Sequence, residues 1–405
     1  MASLPPLNLN NVQGDILEGL GKKNEAFFFF RVKAGQGRGF REDLRSLIPL
    51  VTTTTEAKKF HQSIKESKAA ATKQGKPGPL IENSGVNISF SQKGLVALGI
   101  TDDIGDVQFK KGMLADANAL GDDVSEWDAD FKKEIHGVIS IAANNETVLE
   151  RTIDHTKRIF RVGQKDATVD EVTHLLGQVR PGAESGHEHF GFNDGLSQPA
   201  VKDVDAGVTS EPGAPIDLTP LRDNPAFAKR EDFRFDPTNQ ERCPFAAHIR
   251  KTNPRSDLDA FGGTEIRRII RRGIAFGPEV TAEEKRAKKS SSDEKLERGL
   301  LFVCYQSNLG NGFHFMQQSW ANTNTFPPKT GATPPVPTPG IDPIIGVGNP
   351  RQMVGTSPDV AGANQELNFA AKWVIPRGGE YFFSPSIPAL KKTFAAPGSP
   401  GHHEL

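Results

Sequence analysis

The order of strand-like and helix-like segments in the first half of the chain restricts the fold more than any other feature. Short segments rich in β-branched and aromatic residues predict strands at Phe27–Val32, Val86–Phe90 and His136–Ala142. Apolar residues at helical spacing predict helices at Arg41–Leu50, near Leu95–Leu98 and at Glu146–Ile159. Asn145 is a candidate N-cap of the last helix. The order strand–helix–strand, strand–helix–strand predicts an α+β fold of the ferredoxin-like type.

The second half of the chain contains more turns and gives weaker signals. A helical stretch is predicted between about Val162 and Glu184, before the turn-rich segment GHEHFGFNDGLSQPA. Candidate strands follow at Ala246–Arg250, Arg268–Phe276, Gly299–Gln306 and Glu380–Ser384. A helix is predicted at Phe313–Ala321, and the charged insertion Thr281–Arg298 is expected to be an exposed helix or loop.

Charge and cysteine content exclude several classes of protein. The chain has 49 Lys+Arg against 50 Asp+Glu, a net charge of -1, whereas a broad phosphate-binding surface needs clustered cations. Only Cys243 and Cys304 are present, which is too few for a disulfide framework or a four-cysteine zinc or iron–sulfur site. Both are expected to be buried thiols, with one disulfide as the alternative.

Three residues are candidates for chemistry in a chain that lacks the motifs GxxxxGK[ST], HExxH and GxSxG. Asp194 lies between turn glycines, His248 closes an apolar run, and Arg271 begins an otherwise apolar strand. Each also has a plain structural interpretation, as a turn former, a hydrogen-bonded core residue and a strand-edge charge. His187 and His189 have the spacing of two metal ligands on one strand face, but a polar loop is the favoured interpretation.

Five sequence blocks, in the expected order along the chain, resemble those of dye-decolorizing peroxidases. GFNDGLSQP resembles the GxxDG motif of that family. Further blocks resemble its fungal-type branch: NNVQGDIL, CPFAAHIRKTNPR, IIRRGIAFGPE and LLFVCYQS. The resemblance implies two ferredoxin-like domains, residues 8–184 and 185–397, with haem b bound mainly by the C-terminal half. It also implies a peroxidase that reduces hydrogen peroxide and oxidises dyes, phenols and similar donors in one-electron steps.

The resemblance further implies roles for particular residues. His248 would be the proximal ligand of the haem iron, and Asp342 would accept a hydrogen bond from its other ring nitrogen; a surface-turn role for Asp342 is the alternative. Asp194 would be the acid–base catalyst on peroxide. Arg271 would stabilise the negative charge that develops as the O–O bond breaks, while Arg272 would face a haem propionate or solvent.

Side chains near the expected haem are further candidates. Leu300 and Phe302 match residues that line the distal cavity in the family, with core packing as the alternative. Bulky dyes should not reach a buried haem, so electrons would have to pass through the protein. Trp320 matches a surface tryptophan that relays electrons in fungal-type members, although its spacing from Phe313 is that of a buried helical stripe. Phe276 stands where some relatives carry tyrosine, which makes a route through that position doubtful.

The sequence does not decide the cellular location of the protein, and it allows alternatives to a peroxidase. The longest apolar run, Ala26–Phe30, is far shorter than the roughly 20 residues of a spanning helix, and the first twenty residues do not resemble a signal peptide. The family resemblance favours an extracellular mature protein over a cytoplasmic one, and neither a nucleic acid nor a membrane is expected as partner. The alternatives to a peroxidase are a haem-binding or carrier protein of the same fold and a haem enzyme with another main activity.

Overall fold

The structure is a computed structural model that describes most of the chain. The described residues are 7–75, 81–193, 198, 199, 201, 234–238, 243–328, 339–348, 351–356, 364–369 and 372–397. Of the candidate site residues, Asp194 alone lies outside these ranges.

The first half of the chain forms a four-stranded antiparallel sheet. Its strands are β1 (Asn24–Val32), β2 (Ser84–Phe90), β3 (Gly137–Ala143) and β4 (Val169–Gln178), in the spatial order β2-β3-β1-β4. The register places Phe28 of β1 opposite Ile139 of β3 and His174 of β4. Helices connect the first strand to the second and the third to the fourth, so the ferredoxin-like α+β arrangement predicted from the sequence is confirmed.

The helices of this half are α1 (Gly14–Leu17), α2 (Gly37–Leu47), α3 (Thr54–Lys73), α4 (Gln92–Ala97), α5 (Val107–Lys111), α6 (Met113–Leu120) and α7 (Glu146–Ile159). Four of these helices, α3, α4, α5 and α7, begin after a residue whose side chain accepts a hydrogen bond from a free backbone amide. The side chain of Asn145 accepts a hydrogen bond from the Val148 amide at 2.8 Å, which confirms it as the N-cap of α7. Thr53 and Glu56 form a capping box at the start of α3.

The phenylalanines of β1 bury both faces of the sheet. Phe28 and Phe30 belong to the larger core, where the Phe30 ring centroid lies 5.6 Å from that of Phe40 in α2. Phe29 faces the opposite way and belongs to a second core that includes Ile274 from the C-terminal half. Because successive strand residues point to opposite faces, a single run of phenylalanines packs against the core that contains α2 on one side of the sheet and against the core that contains Ile274 on the other.

The second half consists of short elements. Its strands are β5 (Ile270–Arg271), β6 (Ile274–Phe276), β7 (Gly299–Leu301), β8 (Cys304–Tyr305), β9 (Gln352–Thr356) and β10 (Asn364–Asn368). They form antiparallel pairs: β5 with β8, β6 with β7, and β9 with β10. The helices are α8 (His248–Thr252), α9 (Ala282–Ala287), α10 (Phe313–Phe315), which continues as a π-helix over Met316–Ala321, and α11 (Ile387–Ala389), which continues over Leu390–Phe394. In the part of the chain that the structure describes, no helix is long and apolar enough to cross a membrane.

Three expectations about secondary structure are wrong. The stretch between Val162 and Glu184 contains strand β4 rather than a helix, because its backbone pairs along the whole length of β1. Ala246–Arg250 is not a strand, since α8 begins at His248. The described residues Glu380–Ser384 form only an isolated bridge to β2. For β4, pairing with a distant strand overrides the local pattern, whereas α8 is formed by local hydrogen bonds such as that from the Lys251 amide to the Ala247 carbonyl.

The last described segment returns to the core of the first half. Leu390 is fully buried, and the ring centroid of Phe394 lies 4.6 Å from that of Phe90 at the end of β2. The guanidinium of Arg45 in α2 donates to the Ala395 carbonyl at 2.8 Å. Residues assigned to the predicted second domain therefore complete the core of the first, and the boundary near residue 184 stays a prediction.

Candidate active site

A cleft of about 290 Å³ lies where the segment before β1 meets the end of β4 and the β5–β6 region. Its volume is at the lower end of the range of organic-ligand sites. Six of the residues that line it are Lys22, Arg180, His187, Arg271, Arg272 and Leu300. The cleft is lined by four Lys or Arg side chains and by two carboxylates, Glu18 and Glu188, so its lining has an excess of positive charge that suits an organic ligand with anionic groups.

Arg271 is held at the cleft through its main chain. Arg271 in β5 is paired with Cys304 in β8. The side-chain amide of Gln198 accepts from the Arg271 amide at 3.0 Å and donates to the Arg271 carbonyl at 2.7 Å. This two-point contact fixes the peptide that carries the guanidinium. Sequence reasoning gave Gln198 no role, although it lies inside the block GFNDGLSQP.

Arg272 has a different function from its neighbour. Its Nε donates to the Asp15 carbonyl at 2.8 Å, and its Nη2 donates to the Leu17 carbonyl at 2.7 Å. These bonds attach α1 to the wall of the cleft. Arg272 therefore lines the cleft and, through its guanidinium, also connects the cleft wall to α1.

His248, the first residue of α8, forms a hydrogen-bonded pair with a buried carboxylate. Its Nδ1 lies 2.8 Å from Oδ2 of Asp342, which is fully buried. The other oxygen, Oδ1, accepts from the Ile344 and Ile345 amides at 2.8 and 3.1 Å. Burial acts to lower the pKa of His248, but the charge of Asp342 and the hydrogen bond to it outweigh burial and raise that pKa. With Nδ1 committed to Asp342, Nε2 is the ring nitrogen suited to bind a metal.

A buried lysine supports this pair from the next turn of α8. Lys251 is fully buried, and its Nζ donates to the carbonyls of Thr323, Phe326 and Gly340 at 2.7, 2.7 and 2.9 Å. Burial lowers the pKa of Lys251 to about 7, and the nearby Asp342 partly opposes that shift. Because Gly340 is two residues from Asp342, Lys251 helps to position the carboxylate. No local signal in the sequence indicates this contact.

The residues present fit a haem. A neutral imidazole whose second nitrogen is bound to a carboxylate is the usual form of a histidine ligand to iron. The His248 ring centroid lies 5.1 Å from that of Phe192, and the Phe192 amide donates at 2.7 Å to the carboxylate of Glu188, which lines the cleft, so the imidazole lies next to the cleft. His187 lines the cleft, and its buried Nδ1 has no hydrogen-bond partner among the described residues. A polar group of a bound ligand would satisfy that nitrogen.

Of the three apolar candidates, Leu300 lies at the cleft, while Phe302 and Trp320 pack against other aromatic rings. Leu300 lines the cleft, whereas Phe302 is 45% exposed and its ring centroid lies 5.9 Å from that of Phe313. Trp320 is only 4% exposed and stacks on Phe326 at 5.1 Å. A donor in solution therefore does not touch the Trp320 ring directly, and a relay role for it stays a prediction.

The thiols and the histidine pair supply no metal site in the described part of the chain. Cys243 and Cys304 are both free, and burial raises the pKa of each thiol to about 12. Between His187 and His189, the Glu188 carboxylate accepts hydrogen bonds from two loop amides. Among the described residues, no three His, Cys, Asp or Glu side chains are placed to hold an ion.

Family models match most of the chain. The model described as "DyP dimeric alpha+beta barrel domain" matches residues 11–181, and "Dyp-type peroxidase, C-terminal" matches residues 190–327. The dye-decolorizing peroxidase msp1 of Mycetinis scorodonius is 35% identical over 95% of this chain and 87% of its own length. The chain belongs to the dye-decolorizing peroxidase family. It is a peroxidase, and the alternative of a haem carrier is not favoured.

Solved structures agree with this assignment. A variant of the dye-decolorizing peroxidase from Pleurotus ostreatus is 38% identical, covers 97% of this chain and 100% of its own, and has a TM-score of 0.85. A dye-decolorizing peroxidase in complex with 2,6-dimethoxyphenol is 35% identical, with 96% and 100% coverage and a TM-score of 0.78. The fold class predicted for this peroxidase, two ferredoxin-like domains with antiparallel sheets, is confirmed, and the family implies a haem cofactor.

Proposed function

We propose that this peroxidase holds haem b between His248 and Arg271, reduces hydrogen peroxide there, and oxidises dyes, phenols and related aromatic donors. The observation that carries the proposal is the His248–Asp342 pair, 2.8 Å apart, beside a cleft with several cations. His248 would bind the iron, and the cations that line the cleft would bind the propionate carboxylates. When bound, haem supplies the electrons for reduction of peroxide and takes them back from donors one at a time.

Asp194 and Arg271 would act on hydrogen peroxide, Asp194 by transferring a proton and Arg271 by stabilising negative charge. Asp194 would accept a proton from one oxygen of hydrogen peroxide and return it to the other oxygen, which leaves as water. The Arg271 guanidinium would stabilise the negative charge on the leaving oxygen as a charged hydrogen-bond donor. Leu300 would keep this side of the cleft apolar. Support for the aromatic donors comes from the relative that was solved with 2,6-dimethoxyphenol.

Arg271→Leu tests the peroxide side. We expect the reaction with peroxide, followed by stopped-flow absorbance, to be slower by about 10²–10³-fold, because a charged donor to the leaving oxygen is lost. The Gln198 contacts involve only the Arg271 main chain, so the strand should be retained. Arg271→Lys keeps the charge and should lose less. Equal rates in the wild type and Arg271→Leu, at equal haem content, would contradict the role.

Asp342→Asn tests the His248 side. The variant keeps a hydrogen-bond acceptor for Nδ1 but removes its negative charge, so the imidazole becomes a weaker electron donor. We expect the ferric/ferrous midpoint potential to rise and haem affinity to fall by about 10–100-fold. The exposed Asp154→Asn on α7 is the matched control. A midpoint potential equal to that of the control would show that Asp342 does not tune the ligand.

The proposals for domain boundaries, location and electron relay are based on the family. Two domains, 8–184 and 185–397, are supported by family models that match residues 11–181 and 190–327, on either side of the proposed boundary. An extracellular location is supported by the family resemblance. A relay role for Trp320 is supported by the matching position in fungal-type members, and it needs an exposed group beyond the buried indole.

A further inference from the structure

A tyrosine lies directly beside the strand residue that carries the Arg271 guanidinium. Tyr305 of β8 is paired with Ile270 of β5, which precedes Arg271. The phenol donates a hydrogen bond to Oδ2 of Asp15 at 3.0 Å. Asp15 is only 1% exposed. A phenol and a buried carboxylate thus form a dedicated pair next to the candidate peroxide site.

The pair lies just behind the wall of the cleft. Oδ1 of Asp15 accepts from the amide of Leu20 at 3.2 Å, and Leu20 lines the cleft. Arg272, which also lines the cleft, donates to the Asp15 carbonyl at 2.8 Å. Tyr305 is therefore separated from the cleft by a single layer of residues.

The surroundings control how this phenol can be oxidised. Burial and the negative charge of Asp15 raise the pKa of Tyr305 well above its ordinary value, so the phenol keeps its proton at every working pH. Loss of an electron from a phenol makes its O–H strongly acidic, and a base within hydrogen-bond distance then takes the proton. Asp15 is placed for that transfer.

We infer that Tyr305 is an internal electron donor of this peroxidase, with Asp15 as its proton acceptor. One electron passes from the phenol to the peroxide-oxidised cofactor, which is reduced by one equivalent. The phenolic O–H bond breaks and an O–H bond forms on Oδ2 of Asp15, which leaves a neutral tyrosyl radical and a neutral acid. On reduction by a donor the proton returns. The inference rests on the proposed function.

The second tyrosine of the chain is a matched control. Tyr381 is buried, and its phenol donates to Oδ2 of Asp116 at 2.9 Å. The Asp116 carboxylate also forms ion pairs with Lys111 at 2.7 Å and with His314 at 3.3 Å. Tyr381 does not lie on a strand paired with β5.

The experiment is rapid-freeze electron paramagnetic resonance of the haem-loaded protein after one equivalent of peroxide, without a donor. The chain has only two tyrosines, so ring-deuterated tyrosine should narrow the radical signal if a tyrosine carries it. We expect Tyr305→Phe to lose that signal and Tyr381→Phe to keep it. Asp15→Asn should also lose most of it, because an amide accepts a hydrogen bond but not the proton, whereas Asp116→Asn should keep it.

Each outcome decides the inference separately from the proposed function. If the wild type reacts with peroxide but shows no deuterium-sensitive signal, or if Tyr305→Phe retains it, Tyr305 is not the donor. An unchanged signal in Asp15→Asn overturns the proton transfer. If Tyr305→Phe does not fold, Tyr381→Phe can be labelled with difluorotyrosine instead, because Tyr305 is then the only tyrosine in the chain. A changed hyperfine pattern of the radical would assign it to Tyr305, and an unchanged pattern would exclude Tyr305. Failure of the wild-type haem spectrum to change with peroxide would instead contradict the proposed function.

Discussion

His248→Ala should be isolated with little or no haem. The imidazole is the only group that we propose to bind the iron, and alanine removes it. Asp342 would remain as a fully buried carboxylate that has lost one hydrogen-bond partner, so some loss of stability is also expected, of about 1–3 kcal/mol. The measurement is the ratio of Soret to protein absorbance after reconstitution with hemin, together with thermal unfolding.

Two comparisons separate ligand loss from damage to the fold. Free imidazole added to His248→Ala should restore haem binding if the cavity and the Asp342 carboxylate are intact. His155→Ala, which removes an exposed histidine on α7, should bind haem like the wild type. A normal ferric spectrum in His248→Ala without added imidazole would place the ligand elsewhere.

Three of the four strands of the first half could be predicted because their signals are local. The short run of bulky apolar residues at Phe27–Val32 is followed by glycines, which favours a buried strand, and Asn145 marks the start of a helix. Strand β4 was missed because its residues alternate poorly between buried and partly exposed positions. Its structure depends on pairing with β1, about 140 residues earlier, which no local pattern contains.

The candidate site shows the same division. Sequence blocks single out His248 and Arg271, and the structure brings the region of both to one cleft. The residues that hold them come from far away: Asp342 lies 94 positions from His248, and Gln198 lies 73 positions from Arg271. Side-chain contacts at such separations are set by the packing of the two halves. The sequence can therefore suggest the reacting groups, but not what orients them.

Asp194→Asn should slow the reaction with peroxide by about 10²–10⁴-fold, the usual contribution of a positioned acid–base group. Asparagine has nearly the same shape but cannot accept the peroxide proton. Haem content and the ferric spectrum should stay close to those of the wild type, since no iron ligand is changed. Stopped-flow absorbance at several peroxide concentrations gives the second-order rate constant.

The pH dependence of the same rate constant tests whether Asp194 is the base. An aspartate with its ordinary pKa of about 3.9 is ionised, and so able to accept a proton, throughout the range where a histidine of pKa about 6.5 is protonated. The wild-type rate constant should therefore persist well below pH 6. In Asp194→His the rate should fall as pH decreases through about 6.5, while in Asp194→Asn it should be low at every pH. A wild-type profile that falls near neutrality, or that Asp194→His does not move, would assign the proton transfer to another group.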